Sequence, residues 1–551
     1  MKRRLLPIRS HKLVIPITLA WLLTTLGWLM GHSDGLGGRP LVILWGDDPG
    51  NYDPHHTSHP VAQSVFRHVC EPLFYEGFDG LVRGLLAEDE IEYEDGGRRV
   101  TVRLRPGITF HDGTTLDTRA VQASFERLQR LGVSPLLNDL RDVTVTAQPD
   151  GRSVVFTLPE PDYEFVRLVL SNPYAAVVSP QADDPAKPGF VACTGPYRFI
   201  PSLYQPGRSL TLVRYPDYRW PPAYFVSRGA AHIRQLRFVF KADRAKRLDL
   251  LLNNEGCVLS LSEEQLAPVA ALPRFRLYEA TGGVTYLGFS FQRPRWQDVQ
   301  VRRAVALALD KTALAELGAF LVADTPLAPG TVGYDPRAAA FGYGYDPDHS
   351  RTLLAQAGFD ADAEVVLLIP ESNTYRELAA AVQQQLDAVG LNRVRVREVP
   401  RADILTQRQD FDLLLFDYAW GDYRALGIFL GPGPRNLLNY PGGDVAGLVA
   451  QARATADAGQ RRQRVLGAQR IVLEQALWQP LLVRRITFAV DGACVGGERQ
   501  SPEGELLFHD ADTRRCPLIF PRNLASATQK SYLFTKNHKL SQNRGPFCGI
   551  L

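Results

Sequence analysis

An acidic side chain flanked by aromatic rings follows a short apolar run late in the chain. Residues 412–416 (DLLLF) indicate a buried strand, and Trp420, Asp422 and Tyr423 come soon after it. Open α/β sheets bind ligands at the carboxyl ends of their strands, so we expect a ligand site here. A carboxylate between rings suits a cation or a free amine, through charge-assisted hydrogen bonds and cation–π contact. The alternative is an ordinary loop carboxylate.

Two groups that contain histidine are weaker candidates, the first for catalysis and the second for metal binding. His111 and Asp112 are neighbours in the sequence FHDG, and an imidazole beside a carboxylate could serve acid–base chemistry. Adjacent side chains diverge, so a turn ending in Asp-Gly is the favoured interpretation. His55, His56 and His59 could bind a metal such as nickel, but surface-loop histidines are more common. We therefore predict no catalytic residue and no metal site.

Local signatures of the common enzyme classes are absent from the sequence. It contains no HExxH or P-loop motif, and no dinucleotide-binding glycine pattern after a strand. We therefore predict that the chain is not an enzyme and uses no cofactor.

Length and composition indicate a large protein that folds mostly in water. The 551 residues exceed the ~250–300 at which single cores stop growing, so several domains are expected. The hydrophobic fraction of 45% and the charged fraction of 22% are those of globular proteins. A net charge of +3, from 62 basic and 59 acidic residues, lacks the basic excess typical of nucleic-acid binding.

The N-terminus predicts export. Five basic residues and no acid lie within residues 1–12, and residues 13–31 (LVIPITLAWLLTTLGWLMG) carry no charge. Such a segment keeps its positive flank in the cytoplasm and delivers the following chain outside the inner membrane. The apolar run has a length between that of a signal peptide and that of a spanning helix. We favour an uncleaved anchor at 13–31, and a cleaved signal peptide is the alternative.

Six cysteines, at positions 70, 193, 257, 494, 516 and 548, show no CxxC spacing, so zinc and thioredoxin-type sites are not indicated. Disulfides are plausible outside the cytoplasm, and the most local candidate pair is Cys494 with Cys516. The last residues differ in composition from the rest, since lysines are concentrated among Ser, Asn and Gln. We expect residues 523–551 to be a disordered tail.

Helix and strand patterns alternate along the chain. Residues 41–45 and 100–104 have strand character, and 116–131 has helical spacing with apolar positions on one face. Residues 298–317 and 461–477 are further predicted helices. Residues 364–369, 376–389 and 394–399 form a strand–helix–strand unit, which is expected in a parallel sheet. The pattern predicts a multidomain α/β protein.

Several motifs, in the same order along the chain, resemble extracytoplasmic solute-binding proteins of family 5, the peptide- and nickel-binding components of ABC importers. The most specific segment is 102–127 (VRLRPGITFHDGTTLDTRAVQASFER). The other similar segments are 52–55 (YDPH), 69–73 (VCEPL), 84–87 (GLLA), 194–197 (TGPY), 301–304 (VRRA), 309–311 (LDK), 333–336 (GYDP), 345–347 (YDP) and 357–359 (AGF).

The resemblance implies a two-lobed, periplasmic-binding-protein-like α/β fold of type II, in its large three-domain subclass, with an N-terminal transmembrane or signal helix. It further implies that Asp422, in WGDY, corresponds to the aspartate that holds a peptide's α-amine, with Trp420 and Tyr423 beside it. The expected divisions are 1–38 as signal or anchor plus spacer, 39–78 with 192–282 and 480–522 as a discontinuous lobe I domain, 79–191 as its accessory domain, 283–479 as lobe II and 523–551 as the tail.

The implied function is capture of a peptide-like solute in an interlobe cleft and its delivery to the permease subunits of an ABC transporter. The protein is expected to be a monomer outside the cytoplasm, periplasmic or at the cell surface, and attached to the membrane through residues 13–31. The alternatives are a membrane-tethered ligand sensor or an enzyme that reuses the fold. The sequence leaves open whether the solute is an oligopeptide, a dipeptide, a nickel chelate or a sugar.

Overall fold

A computed structural model describes residues 39–182, 189–406, 410–418, 420–502 and 504–513. The predicted anchor at 13–31, the predicted tail at 523–551 and Cys516 lie outside the described residues. Within the described ranges, no helix is both long and apolar enough to cross a membrane.

The strands of the described ranges, numbered in chain order, are β1 (Leu41–Trp45), β2 (Phe74–Glu76), β3 (Val82–Gly84), β4 (Ala87–Glu94), β5 (Arg99–Leu104), β6 (Thr144–Ala147), β7 (Ser153–Thr157), β8 (Tyr197–Gln205), β9 (Ser209–Arg214), β10 (Gln235–Phe240), β11 (Val258–Leu261), β12 (Phe275–Phe289), β13 (Phe320–Val322), β14 (Val365–Pro370), β15 (Val394–Val399), β16 (Leu413–Tyr418), β17 (Trp478–Asp491), β18 (Val495–Gly496), β19 (Arg499–Gln500), β20 (Leu506–Leu507) and β21 (Asp512–Thr513).

The α-helices are α1 (Pro60–Phe66), α2 (Thr118–Leu131), α3 (Leu137–Leu140), α4 (Arg244–Leu252), α5 (Glu263–Ala270), α6 (Val299–Leu307), α7 (Lys311–Ala315), α8 (Pro347–Gln356), α9 (Asn373–Asp387), α10 (Arg401–Thr406), α11 (Arg424–Leu430), α12 (Asp444–Arg453) and α13 (Ala458–Glu474). Within the described ranges, short 3₁₀ turns at Asp95–Gly97, Pro173–Ala175, Pro294–Trp296 and Pro336–Phe341 and a π-helical turn at Val166–Leu170 complete the helical structure.

One mixed sheet of eleven strands organises the molecule. Its order is β15-β14-β16-β12-β17-β11-β1-β10-β9-β8, and β13 pairs with β17. Strands β1, β10 and β11 are mutually parallel, and so are β14, β15 and β16. Apolar runs such as VVLLIP in β14 suit a parallel strand that is covered on both faces. The predicted strand–helix–strand unit is confirmed as β14–α9–β15.

The long strands β12 and β17 join the two halves of this sheet. Their first pairing covers Phe275–Thr281 against Arg485–Asp491, and the second begins at Val284 opposite Val483 after a register shift. We call the half with β1 and β8–β11 lobe I, and the half with β13–β16 lobe II. The predicted two-lobed α/β fold is therefore connected by two strands that pass from one lobe to the other.

Separate cores support the two lobes. Phe66, Phe238 and Val490 belong to the main core of lobe I, while Tyr286 and Leu367 belong to two cores in lobe II, apart from each other. Such a division is expected when a chain is too long for one core.

A second sheet, of order β4-β5-β7-β6, packs against lobe I. Helix α2 covers it and begins at Asp117, whose side chain accepts a hydrogen bond from the Ala120 amide. The helix ends at Gly132, which has the left-handed backbone (φ 70°) typical of a C-cap. Its inward residues share a core with Tyr218 of lobe I. We call β4–β7 the small sheet.

Two disulfides tie lobe I together, and one of them corrects a prediction. Cys70 is bonded to Cys193, and Cys494 is bonded to Cys257. The predicted pairing of Cys494 with Cys516 is therefore wrong. Cys257 immediately precedes β11 and Cys494 closely follows β17, and these antiparallel strands bring the ends together, with the Asp491 amide donating to the Cys257 carbonyl at 2.8 Å. Proximity in sequence was a poor guide because the sheet decides which cysteines meet.

Candidate functional site: a cleft between two strand edges

The carboxyl ends of the two parallel strand sets converge where β12 and β17 cross between the lobes. In lobe II, Tyr418 at the end of β16 lies opposite Val284. In lobe I, Leu261 at the end of β11 lies opposite Thr487. Each of these partners sits beside the crossing point, so both carboxyl edges point into the same cleft. This is the edge at which open α/β sheets bind ligands.

The lobe I side of the cleft offers an indole and a carboxylate. Trp45 ends β1, and its Nε1 is buried with no hydrogen-bond partner among the described residues. Beside it lies a cavity of about 20 Å³ that is also lined by Ser64, Phe488 and Glu505. The Ser64 hydroxyl donates to Glu505 at 3.1 Å. The volume is enough for one water-sized group.

An adjoining cavity of about 80 Å³ reaches toward the small sheet. Among its lining residues are Arg67, Glu76 and Ser171. Glu76 accepts hydrogen bonds from the guanidinium of Arg167 at 2.8 and 3.0 Å. Arg67 and Glu76 therefore place one positive and one negative group on the wall of this cavity.

A charged cluster lies at the lobe II edge. Asp417, the penultimate residue of β16, accepts hydrogen bonds from the Arg401 guanidinium at 2.7 Å and from the Tyr375 hydroxyl. Burial alone would raise the pKa of Asp417, but Arg401 and these hydrogen bonds hold it below its usual value. The Arg401 guanidinium also lies over the Phe416 ring, at 4.4 Å from its centroid. The carboxylate is therefore ionised and held in place at the cleft.

The predicted site residues follow β16, and the structure gives them unequal access. Trp420 is half-buried and contacts Phe429 and the guanidinium of Arg435. Asp422 is 4% exposed and Tyr423 is 1% exposed. Burial raises the pKa of the Tyr423 hydroxyl, which has no hydrogen-bond partner among the described residues.

Asp422 is bonded to an arginine of its own loop. One carboxylate oxygen accepts hydrogen bonds from the Arg424 amide at 2.9 Å and from its Nε at 2.7 Å, and the other accepts from Nη2 at 2.7 Å. Arg424 also contacts the segment that carries the small sheet and the helices around it (residues 79–191), which we call the small-sheet side. Its Nη1 lies 2.8 Å from Asp139, and its Nη2 donates to the Leu168 carbonyl at 3.0 Å. Arg424 therefore links Asp422 to the opposite side of the cleft.

Two further arginines of lobe II form ion pairs with carboxylates of the small-sheet side. Arg453, at the end of α12, lies 2.6 Å from Asp162, and its carbonyl accepts a hydrogen bond from the Tyr163 amide at 2.8 Å. Arg461 in α13 lies 2.9 Å from Glu164. Burial raises the pKa of Glu164 in spite of this arginine. The lobes are thus in contact at a second place, away from the crossing strands.

The histidine clusters have structural contacts. His111 is hydrogen-bonded to the Gly195 carbonyl at 2.9 Å, and Asp112 accepts hydrogen bonds from Thr114 in a tight turn. They line a cavity of about 480 Å³ outside the cleft. His55 is buried against Arg127 at 3.1 Å. Across the described ranges, no group of three His, Cys, Asp or Glu side chains is placed to hold a metal.

The sequence analysis missed several residues of the cleft. Asp417 and Arg401 each lie at or just after the carboxyl end of a predicted strand, so the edge rule that singled out Trp420 would have found them too. The three interlobe arginines had no such signal. Arg453 and its partner Asp162 are 291 positions apart, and nothing local in either segment indicates the contact.

Comparison with known proteins identifies the relatives of this chain. Residues 82–429 match the family described as Bacterial extracellular solute-binding proteins, family 5 Middle. The glutathione-binding protein GsiB of Escherichia coli O1:K1 / APEC is 24% identical over 512 residues, which cover 87% of this chain and 96% of that protein.

Solved structures share the fold. The ABC transporter substrate binding protein CtaP of Listeria monocytogenes superposes with a TM-score of 0.72 at 22% identity, covering 86% of this chain and 100% of that one. The periplasmic binding protein DppA of Helicobacter pylori, in complex with the peptide STSA, gives 0.68 at 18% identity and covers 86% and 98%.

Proposed function

The chain belongs to family 5 of the bacterial extracellular solute-binding proteins, and from this membership we propose that it captures a peptide-like solute between its lobes and delivers it to an ABC transporter permease. It is a solute-binding protein and not an enzyme. The observation that carries the proposal is the convergence of two parallel-strand carboxyl edges at the crossing of β12 and β17. Ligands of α/β folds bind at such edges.

A peptide is the solute class that the relatives and the cleft chemistry favour together. GsiB is named for glutathione, and DppA was solved with the peptide STSA. Both solutes carry an amine, at least one carboxylate and amide groups. An extended peptide offers main-chain groups that bind independently of its side chains. The charges of Glu76, Arg401 and Glu505 around the cleft can meet the two ends of such a solute.

We assign the lobe II contacts to Trp420, Asp422 and Tyr423. Trp420 supplies a half-exposed ring on which a solute can pack. For Asp422 to bind an amine, Arg424 has to release at least one carboxylate oxygen, and Arg424 keeps Asp139 as a partner if it does. If Asp422 exchanges the guanidinium of Arg424 for the ammonium group of a solute, the site favours solutes with a free amine.

The place of the chain in the cell follows from the family, whose members act outside the cytoplasm. We propose that residues 13–31 anchor the protein to the inner membrane and that it acts as a monomer. We also propose the division into a discontinuous lobe I domain, its accessory domain at 79–191 and lobe II at 283–479.

Calorimetry tests the solute class. The full chain in nanodiscs is titrated with four compounds: glutathione, Ser-Thr-Ser-Ala, the N-acetylated form of this tetrapeptide and its C-terminally amidated form. We expect a free peptide to bind one-to-one, and Trp420→Ala to raise Kd about tenfold, as for an aromatic anchor. Tyr345→Ala, which removes an exposed ring outside the proposed site, is the matched control. If none of the four compounds binds, the peptide assignment fails.

A further inference from the structure

The ion pairs between lobe II and the small-sheet side join groups that the proposed solute contacts do not include. Arg453 lies 2.6 Å from Asp162 and 3.3 Å from Asp139. We infer that Arg453 is a positioning residue for solute binding: it holds the lobes closed by pairing with carboxylates of the opposite side, without touching the solute. The inference rests on the proposed function, because closure matters only if a solute binds in the cleft.

Charge complementarity supports a specific contact. On the small-sheet side, the carboxylates of Asp139, Asp162 and Glu164 are between 5% and 7% exposed. On the lobe II side they meet guanidinium groups: Arg453 donates to Asp162, and Arg424 and Arg461 lie 2.8 and 2.9 Å from Asp139 and Glu164. Removing one partner from such a pair leaves an uncompensated buried charge, which strongly destabilises the arrangement. Closure of the cleft therefore depends on these arginines.

Uncharged contacts at the same place make the closed arrangement specific. The amide of Tyr163 donates to the Arg453 carbonyl, which is a main-chain hydrogen bond between the two sides. The Leu168 side chain is buried in a core cluster of lobe II together with Tyr423 and Phe429. Opening the lobes would expose all of these groups to water, so the closed form has its own source of stability.

The apparent affinity for a solute depends on the fraction of molecules whose lobes are closed. Apparent affinity equals intrinsic affinity multiplied by the fraction of molecules that are closed. A variant that lowers this fraction tenfold raises Kd tenfold for every solute, whatever its chemistry. Arg453 is thus expected to affect all solutes equally, whereas a residue that contacts the solute discriminates among them.

Hydrogen exchange tests this without any solute. In the full chain in nanodiscs, exchange is followed by mass spectrometry in the peptide that contains Tyr163, because that amide is bonded across the lobes. We expect Arg453→Gln to accelerate its exchange about tenfold, with β5 and β14 unchanged, and Arg453→Lys to accelerate it less. Arg470→Gln, which breaks an ion pair within α13 and a contact with the Phe341 ring, both away from Tyr163, is the matched control and should leave exchange unchanged.

The outcomes separate this inference from the proposed function. Unchanged exchange at Tyr163 in Arg453→Gln would overturn the positioning role, and so would equal acceleration in β5 and β14, which would indicate a general defect of the fold. Local acceleration would support it even if no peptide bound. With a bound peptide, the Kd of Arg453→Gln should rise by the same factor for free and blocked peptides, because the closed fraction is common to all solutes.

Discussion

Glu71 is a fully buried carboxyl group that the sequence marks only as part of VCEPL. It accepts hydrogen bonds from Thr194 at 2.9 Å and from Trp220 at 2.9 Å, as well as from Tyr218. Burial raises the pKa of Glu71 to about 7 in spite of these bonds. The folded protein therefore holds a proton on this group at pH values where the unfolded chain has lost it.

The raised pKa predicts a loss of stability as pH rises from about 5 to about 8. Between these values the folded state binds more protons than the unfolded state, so the free energy of unfolding falls with increasing pH. A pKa difference of this size between the folded and unfolded states corresponds to about 3 kcal/mol in the free energy of unfolding. Glu71→Gln cannot titrate, so urea unfolding should show a correspondingly weaker fall in this variant than in the wild type. Parallel pH profiles would contradict the account.

Asp422 gives the sharpest test of the proposed solute contacts. A charge-assisted hydrogen bond is worth about 1.5–3 kcal/mol, so Asp422→Asn should weaken a free-amine peptide at least about tenfold while sparing its N-acetylated form. Calorimetry with the paired peptides measures both affinities. Equal weakening of the two would mean that Asp422 serves only to hold Arg424.

At the residue scale, sequence patterns give the position of a side chain where its neighbours along the chain carry the information. The acid and rings after β16 could be placed at a strand edge because apolar runs mark strands. The bond from Asp422 to Arg424 was not predicted, although the two residues are close in sequence, because rotamers and burial decide it. The contacts of Arg453 depend on how distant elements pack, which no local pattern shows.

At the scale of elements, strand pairing decides which cysteines meet. The disulfide of Cys257 with Cys494 fixes the start of β11 to the end of β17. Replacing both cysteines by serine should lower the free energy of unfolding by about 2–5 kcal/mol, because the unfolded chain gains freedom. Thermal unfolding measures the loss, and Cys516→Ser should be neutral. A peptide map that links Cys494 to Cys516 would contradict this pairing.

Several predicted elements match the structure closely, and the differences have local causes. The predicted strand 41–45 is β1, and the predicted helix 116–131 is α2 with its start at Thr118, after the Asp117 cap. The predicted helix 298–317 is instead two helices, since the Asp310 side chain accepts hydrogen bonds from the amides of residues 312 and 313 and begins a new helix. Apolar spacing continues across that break, so periodicity alone did not reveal it.

At the scale of the whole molecule, the two-lobed fold was predictable and the state of the cleft was not. Ordered motifs such as 102–127 indicate the family, and the family brings its fold. Closure depends on the balance between the crossing strands and the ion pairs of Arg424, Arg453 and Arg461 on the far side. That balance is a property of assembled surfaces, which explains why it had no sequence signal.

Native mass spectrometry of the full chain, released from nanodiscs after incubation with an equimolar mixture of glutathione and Ser-Thr-Ser-Ala, tests the central claim most directly. The account predicts a one-to-one adduct with the unaltered mass of a peptide, which is released intact on dissociation. The absence of any adduct, or the recovery of a peptide with a changed mass, would contradict reversible solute capture.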